Sequence, residues 1–244
     1  MEAGRAPAGG ISAGDVINES FSIYGQNAAA LIGSAIVVFG IIGVASGFLE
    51  ASGGVILLLV AAIIRLAGLA LYAGFVVKLV QDVRDGRRDE TVGDLFSAAA
   101  PAIAPLVAFG VLYAIGVSIG LALLIVPGLI LLTLWSVGAP AIVVEGVGPL
   151  DAFGRSWELV RGSAWSVFAT LVLVFLIVIA IGLVLGIIAT PISNGATVVA
   201  SVISNVIAAP IFALASSVMF FDLGGGRPAA TAPAPAEPPP PSAP

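Results

Sequence analysis

The sequence predicts an all-α fold: a polytopic membrane protein with six transmembrane helices and short cytoplasmic interfacial helices between them. Three observations carry this prediction. Mean hydropathy is +1.17 and only 9 % of the 244 residues are charged, which excludes an ordinary soluble domain. Apolar runs recur near residues 28–48, 54–77, 102–126, 127–144, 165–189 and 196–221. As helices rising about 1.5 Å per residue, each is long enough to cross a hydrocarbon core of about 30 Å. Basic residues mark alternate junctions only: Arg5, then Lys78, Arg84, Arg87 and Arg88, then Arg155 and Arg161, then Arg227. The junctions near Glu50, Val126 and Thr190 hold no Lys or Arg, so both termini are expected in the cytoplasm.

Residues 11–222 form the membrane domain in this reading. Residues 1–10 lack the charged-then-apolar layout of a signal peptide and are expected to be disordered. The Pro/Ala-rich segment 223–244 cannot bury enough apolar surface to offset its ordering entropy and is expected to be a disordered tether.

A short helix is expected before each odd-numbered span. Ser12 and Asp15 have a cap-like spacing, followed by Ile17, Phe21 and Tyr24 on one face. Thr91 and Asp94 repeat the cap spacing before Leu95 and Phe96. In the third segment Pro149 suits a helix start, Leu150, Phe153, Trp157 and Val160 line one face, and Asp151 can pair with Arg155. Such helices either lie flat among the headgroups or pack on the bundle as connectors. Residues 19–28 align weakly with 155–164, and the odd spans carry Gly43/Gly47, Gly116/Gly120 and Gly182/Gly186. Both features fit three units of a short helix followed by a transmembrane hairpin, the glycines permitting close helix contact.

Arg65 interrupts the apolar pattern. By helical rise its Cα lies roughly 16 Å below the outer boundary of the second run. An intramembrane charge there costs about 2.5–3.5 kcal/mol on insertion scales and needs partners. Ser136, Ser204 and Asn205 lie at comparable computed depths, and Pro210 frees the carbonyl of Val206. Together they suggest an intramembrane polar layer in which Arg65 contacts Asn205. At the cytoplasmic interface the candidate lipid-contacting residues are Phe153, Arg155, Trp157 and Arg161.

Enzyme machinery is not apparent. There is no histidine or cysteine, no phosphate-loop or nucleophile-elbow motif, and no metal-ligand spacing, so no catalytic residue, metal or cofactor is expected. The acidic residues Asp82, Asp85, Asp89, Glu90 and Asp94 interleave with Arg84, Arg87 and Arg88 as a solvated loop. No basic stripe suggests nucleic acid.

Three stretches resemble the membrane domain of bacterial glycerophosphoryl diester phosphodiesterases and related uncharacterised six-helix membrane proteins. They are the segment 139–146 followed by Ala152, Phe153, Gly154, Arg155, Ser156, Trp157, Arg161, Gly162 and Trp165; residues 15–24; and residues 220–223 together with the Pro127-Gly128 turn. The resemblance covers residues 11–223 and implies a six-helix domain in the bacterial inner (plasma) membrane. Hydrolysis in the fused family members belongs to a separate domain that uses histidines, so that activity does not carry over. The expectation is a non-catalytic bundle engaging membrane lipids or a membrane-protein partner. The alternative is a transporter or channel subunit for a small anionic or lipid-like solute.

Reporter fusions after Arg88 and Arg161 are expected to read cytoplasmic, and fusions at Gly53 and Asn194 external. A cytoplasmic signal at Asn194 would exclude the six-span topology.

Overall fold

Ten α-helices run through the described residues of the computed structural model, which are 11–86, 90–190 and 194–226. Side chains at 194–199, 201 and 202 are not described, and residues 1–10 and 227–244, expected to be disordered, lie outside the described residues. The helices are α1 (Ala13–Gln26), α2 (Ala28–Ala51), α3 (Val55–Asp85), α4 (Val92–Ala99), α5 (Ile103–Leu123), α6 (Ile125–Leu134), α7 (Gly138–Glu145), α8 (Asp151–Val160), α9 (Ala164–Ala189) and α10 (Asn194–Asp222). Among the described residues six segments are long and apolar enough to cross a membrane: α2, α3, α4 running into α5, α6 with α7, α9, and the Ile203–Asp222 part of α10.

The three-unit organisation is visible in the chain path. Each of α1, α4 and α8 precedes a helical hairpin: α2 with α3, α5 with α6, and α9 with α10. All three short helices pack on the bundle. In α1 the innermost residues are Val16, Ser20 and Ile23, while Phe21 is 42 % exposed. Ile17 and Tyr24 pack at the edge of a cluster formed by Val174, Ile211 and Ala215. Ser12 makes no capping hydrogen bond, whereas Thr91 and Asp94 close the anticipated capping box on α4. Phe96 of α4 stacks on Phe75 of α3 with ring centroids 4.4 Å apart.

Glycine serves two opposite purposes. A Cβ on Gly120 would lie 2.9 Å from the Cα of Gly128, and one on Gly116 would lie 2.6 Å from the Trp135 ring. This pair therefore permits the close approach of α5 and α6, as expected of GxxxG. Among the described residues a Cβ on Gly43, Gly47 or Gly186 would have nothing within 4 Å, and one on Gly182 only an ordinary contact to Ser204. Those glycines do not mediate tight packing within the chain, which corrects the expectation for the first and third pairs.

The fourth span, expected as one continuous helix, is broken at 135–137 between α6 and α7. Pro140 supplies the reason: it lacks an N–H and its ring disfavours a helical bond to the carbonyl of Ser136. That carbonyl accepts a hydrogen bond from Ser216 Oγ of α10 at 2.7 Å. Ser156 of α8, fully buried, donates to the Leu134 carbonyl at 2.8 Å and accepts from the Val137 N–H at 3.2 Å. Two serines from other helices thus satisfy the groups that the break exposes.

Ion pairs gather at the end of the bundle where α3, α7 and α10 finish. Arg84 of α3 bridges Glu19 of α1 at 2.7 Å and Asp222 of α10 at 2.8 Å, and its guanidinium lies 5.4 Å from the Phe221 ring centroid. Glu145, closing α7, receives Nε and Nη2 of Arg155 at 2.7 and 2.9 Å and the Gly226 N–H at 3.0 Å. The chain therefore stays folded through Gly226, beyond Leu223, where the tether was expected to begin. Gly146 terminates α7 in the left-handed conformation that glycine adopts without strain.

Replacing Ser156 strands both an N–H and a C=O, so Ser156→Ala is expected to cost about 1–3 kcal/mol in reversible detergent unfolding. Ser217 is equally buried, but its hydroxyl bonds only the Ala213 carbonyl of its own helix. Ser217→Ala should cost less than about 0.5 kcal/mol. Equal losses would show that the break does not depend on Ser156.

Candidate functional site

The hairpin between α2 and α3 turns through Gly53 (φ 75°) and Gly54 (φ 99°), both in a conformation that favours glycine. This tight reversal brings the last turn of α2 beside the first turns of α3. Glu50 and Arg65, 15 positions apart in sequence, meet there with Arg65 Nη2 3.0 Å from Glu50 Oε1. Arg65 Nε donates to Ser46 Oγ at 3.0 Å, and Ser46 is buried between the helices. The Arg65 side chain remains 54 % exposed and that of Glu50 35 %. Arg65 lies ten residues past Val55, yet its long side chain reaches back towards the hairpin end, as an intramembrane arginine does when it snorkels.

Arg65 also lines a lateral groove of about 720 Å³ between α2, α3, α9 and α10. The walls are apolar, with Phe39, Leu69, Val178 and Phe212 contributing, and Asn205 is a second polar lining residue. Gly40 and Gly43 form part of one wall, and a Cβ at either would meet open space. Here the absent side chains create volume rather than helix contact. Arg65 and Asn205 thus share a groove, but the hydrogen bonds of Arg65 run to Ser46 and Glu50 on α2. Ser204, on the same helix as Asn205, faces Gly182 of α9.

A second cavity of about 480 Å³ adjoins the groove and shares Phe39, Leu69, Ala209 and Phe212 with it. Tyr72, Tyr113, Ser136 and Ser216 line it, so it abuts the broken fourth span. Ser136 Oγ donates to the Thr133 carbonyl, and Tyr72 OH to the Leu31 carbonyl at 2.9 Å. Ser136 therefore belongs with the span-four break rather than with Arg65.

The cytoplasmic-interface candidates on α8 divide between two faces. Ala152, Ser156 and Val160 form the buried face. Phe153 turns inward, its ring centroid 4.5 Å from Phe109 and 4.6 Å from Trp135. Leu150 and Trp157 point outward at 71 % and 47 % exposure, and Arg161 is exposed. The expected single face of Leu150, Phe153, Trp157 and Val160 is therefore split, because the bundle takes two of its four members. Arg155 pairs with Glu145, and with Glu158 at 3.7 Å, in place of the expected Asp151. Hydrogen bonding to Glu145 holds the Arg155 guanidinium above its ordinary range. Among the described residues no group of three or more His, Cys, Asp or Glu side chains is arranged to hold a metal ion.

Sequence reasoning missed Glu50, Ser46 and Glu145. The signal for the first two was available: a carboxylate just before a Gly-Gly turn, facing an arginine on the returning helix. Glu145 carried the signal of standing directly before a glycine that ends a helix.

A sequence profile of an uncharacterised protein family, UPF0259, matches residues 53–213, spanning α3 to most of α10. No curated protein and no solved structure matches the chain.

Because both partners stay partly exposed, Arg65→Gln is expected to change unfolding free energy by less than about 1 kcal/mol. Arg155→Gln should cost more, about 1.5–3 kcal/mol, since it breaks a bidentate pair whose carboxylate also fastens Gly226. Detergent unfolding of both variants checks the ranking, and a larger loss at Arg65 would contradict it.

Proposed function

The chain belongs to the uncharacterised protein family UPF0259, and from that premise we propose a non-catalytic membrane bundle that holds a membrane lipid in its lateral groove. One observation carries this reading: an apolar groove of about 720 Å³ opens between α2, α3, α9 and α10, lined by two polar side chains, Asn205 and Arg65, the latter ion-paired to Glu50 beside the groove. Binding sites for small amphiphiles are concave and mostly apolar, with a few polar groups that fix orientation. An acyl chain suits the Gly40/Gly43 wall, and the headgroup suits the charged pair.

In this proposal the ion-paired end faces the cytoplasm of a bacterial inner membrane, following the distribution of Lys and Arg. Trp165, 81 % exposed, and Trp157 then lie at the cytoplasmic headgroup level, where amphipathic indoles concentrate. The resemblance to phosphodiesterase membrane domains accords with a membrane module that carries no chemistry of its own. A membrane-protein partner remains part of this reading, docked on the lipid-facing helices.

A second reading, transport of a small anionic or lipid-like solute, is favoured by one specific feature. The groove and the second cavity share a wall, and the second cavity meets an interrupted helix. Interrupted helices beside cavities near the bilayer midplane are how many transporters form their binding sites.

Native mass spectrometry of the purified chain is expected to detect retained phospholipid, and Gly43→Leu, which fills the groove, is expected to remove it. Release of lipid-free protein from wild type would overturn the lipid reading. Solute flux in liposomes that disappears in Gly43→Leu would favour transport. With Trp157 as the only tryptophan, shallow brominated lipids should quench its emission more than aqueous iodide does.

A further inference from the structure

We propose that Arg65 and Glu50 form a headgroup site selective for a phospholipid that joins a phosphate to a primary ammonium, as in phosphatidylethanolamine; this rests on the lipid reading of the groove. The pair is electrically neutral as a unit, so a purely anionic headgroup finds no net positive charge there. A zwitterion finds complementary charges side by side. Arg65 uses Nε on Ser46 and Nη2 on Glu50, and its Nη1 makes no hydrogen bond to the described residues. Two N–H groups of a planar fork therefore remain to meet a phosphate oxygen. Glu50 is acceptor-only, and its carboxylate is 35 % exposed, open to an ammonium donor.

Position supports the same assignment. Glu50 stands one residue before the end of α2, about 33 Å along the axis from Ala28, and so at the level where hydrocarbon gives way to headgroups. Arg65 joins the pair to the groove, whose Phe39, Gly40, Gly43 and Phe212 walls are suited to an acyl chain. The buried Ser46 hydroxyl fixes the guanidinium plane, so the recognition geometry exists before a lipid arrives. An ammonium that donates hydrogen bonds is distinguished from a quaternary choline by Glu50 alone, because choline has no N–H to give.

The test uses the full chain in nanodiscs containing equal amounts of phosphatidylethanolamine, phosphatidylcholine and phosphatidylglycerol with identical acyl chains, and counts retained lipids by native mass spectrometry. Wild type is expected to retain phosphatidylethanolamine about tenfold over phosphatidylcholine, the factor that one charge-assisted hydrogen bond supplies. Glu50→Gln, which preserves shape, should abolish that preference and raise phosphatidylglycerol, since Arg65 then stands as an unbalanced cation. Arg65→Gln should lower retention of all three lipids. Retention without headgroup preference, or a preference unchanged in Glu50→Gln, would overturn the headgroup site while leaving the groove as a lipid site. Absence of retained lipid in wild type would overturn the groove reading itself.

Discussion

A helix interrupted inside hydrocarbon must hand its freed N–H and C=O groups to other partners, because no bulk water is there to take them. The bundle depends on how it meets that constraint at 135–137. The Ser156 hydroxyl serves as donor to Leu134 and acceptor from Val137, and Ser216 covers the Ser136 carbonyl. These three hydrogen bonds join α8 and α10 to the junction of α6 and α7. Trp135 at the same junction packs against both Phe153 and Tyr113, and Gly116 makes room for its ring. The break is consequently a point where five helices, α5, α6, α7, α8 and α10, are fixed together.

Void and contact are both built from glycine here, and the difference lies in what stands opposite. Gly120 and Gly128 face one another across a hairpin joined through the single extended residue Leu124. Gly40 and Gly43 face the space bounded by α9 and α10, and no described atom comes within 4 Å of where their Cβ would lie. The first arrangement lets α5 and α6 approach closely. The second leaves a lateral opening beside the one arginine that lies well inside a span.

Much of the architecture was legible because hydropathy is a property of each segment by itself. The six spans, the Thr91–Asp94 capping box and the sequence of short helix then hairpin all follow from local pattern. What escaped detection depends on tertiary geometry. Counting depth by helical rise locates the Cα of Arg65, but its side chain reaches toward the hairpin end, where α2 continues past the apolar run to carry Glu50. The face of α8 was misassigned because aromatic character does not reveal which aromatics the bundle claims; Phe153 is taken inside and Trp157 is left out. Pro140 did announce the break in the fourth span, since the carbonyl four residues back from a proline is Ser136.

The α3 helix has 31 residues and is therefore about 46 Å long, some 16 Å more than a typical hydrocarbon core requires. The surplus rises from the bilayer as a post, and Arg84 near its tip clasps α1 and α10. Pinned on that side by charges that cannot sink, the bundle has little freedom to adjust its depth there. Changes in bilayer thickness must then be absorbed at the opposite face, where the hairpins are short and carry few charges. A thinner membrane would bare the mouth of the groove to water, and a thicker one would submerge it.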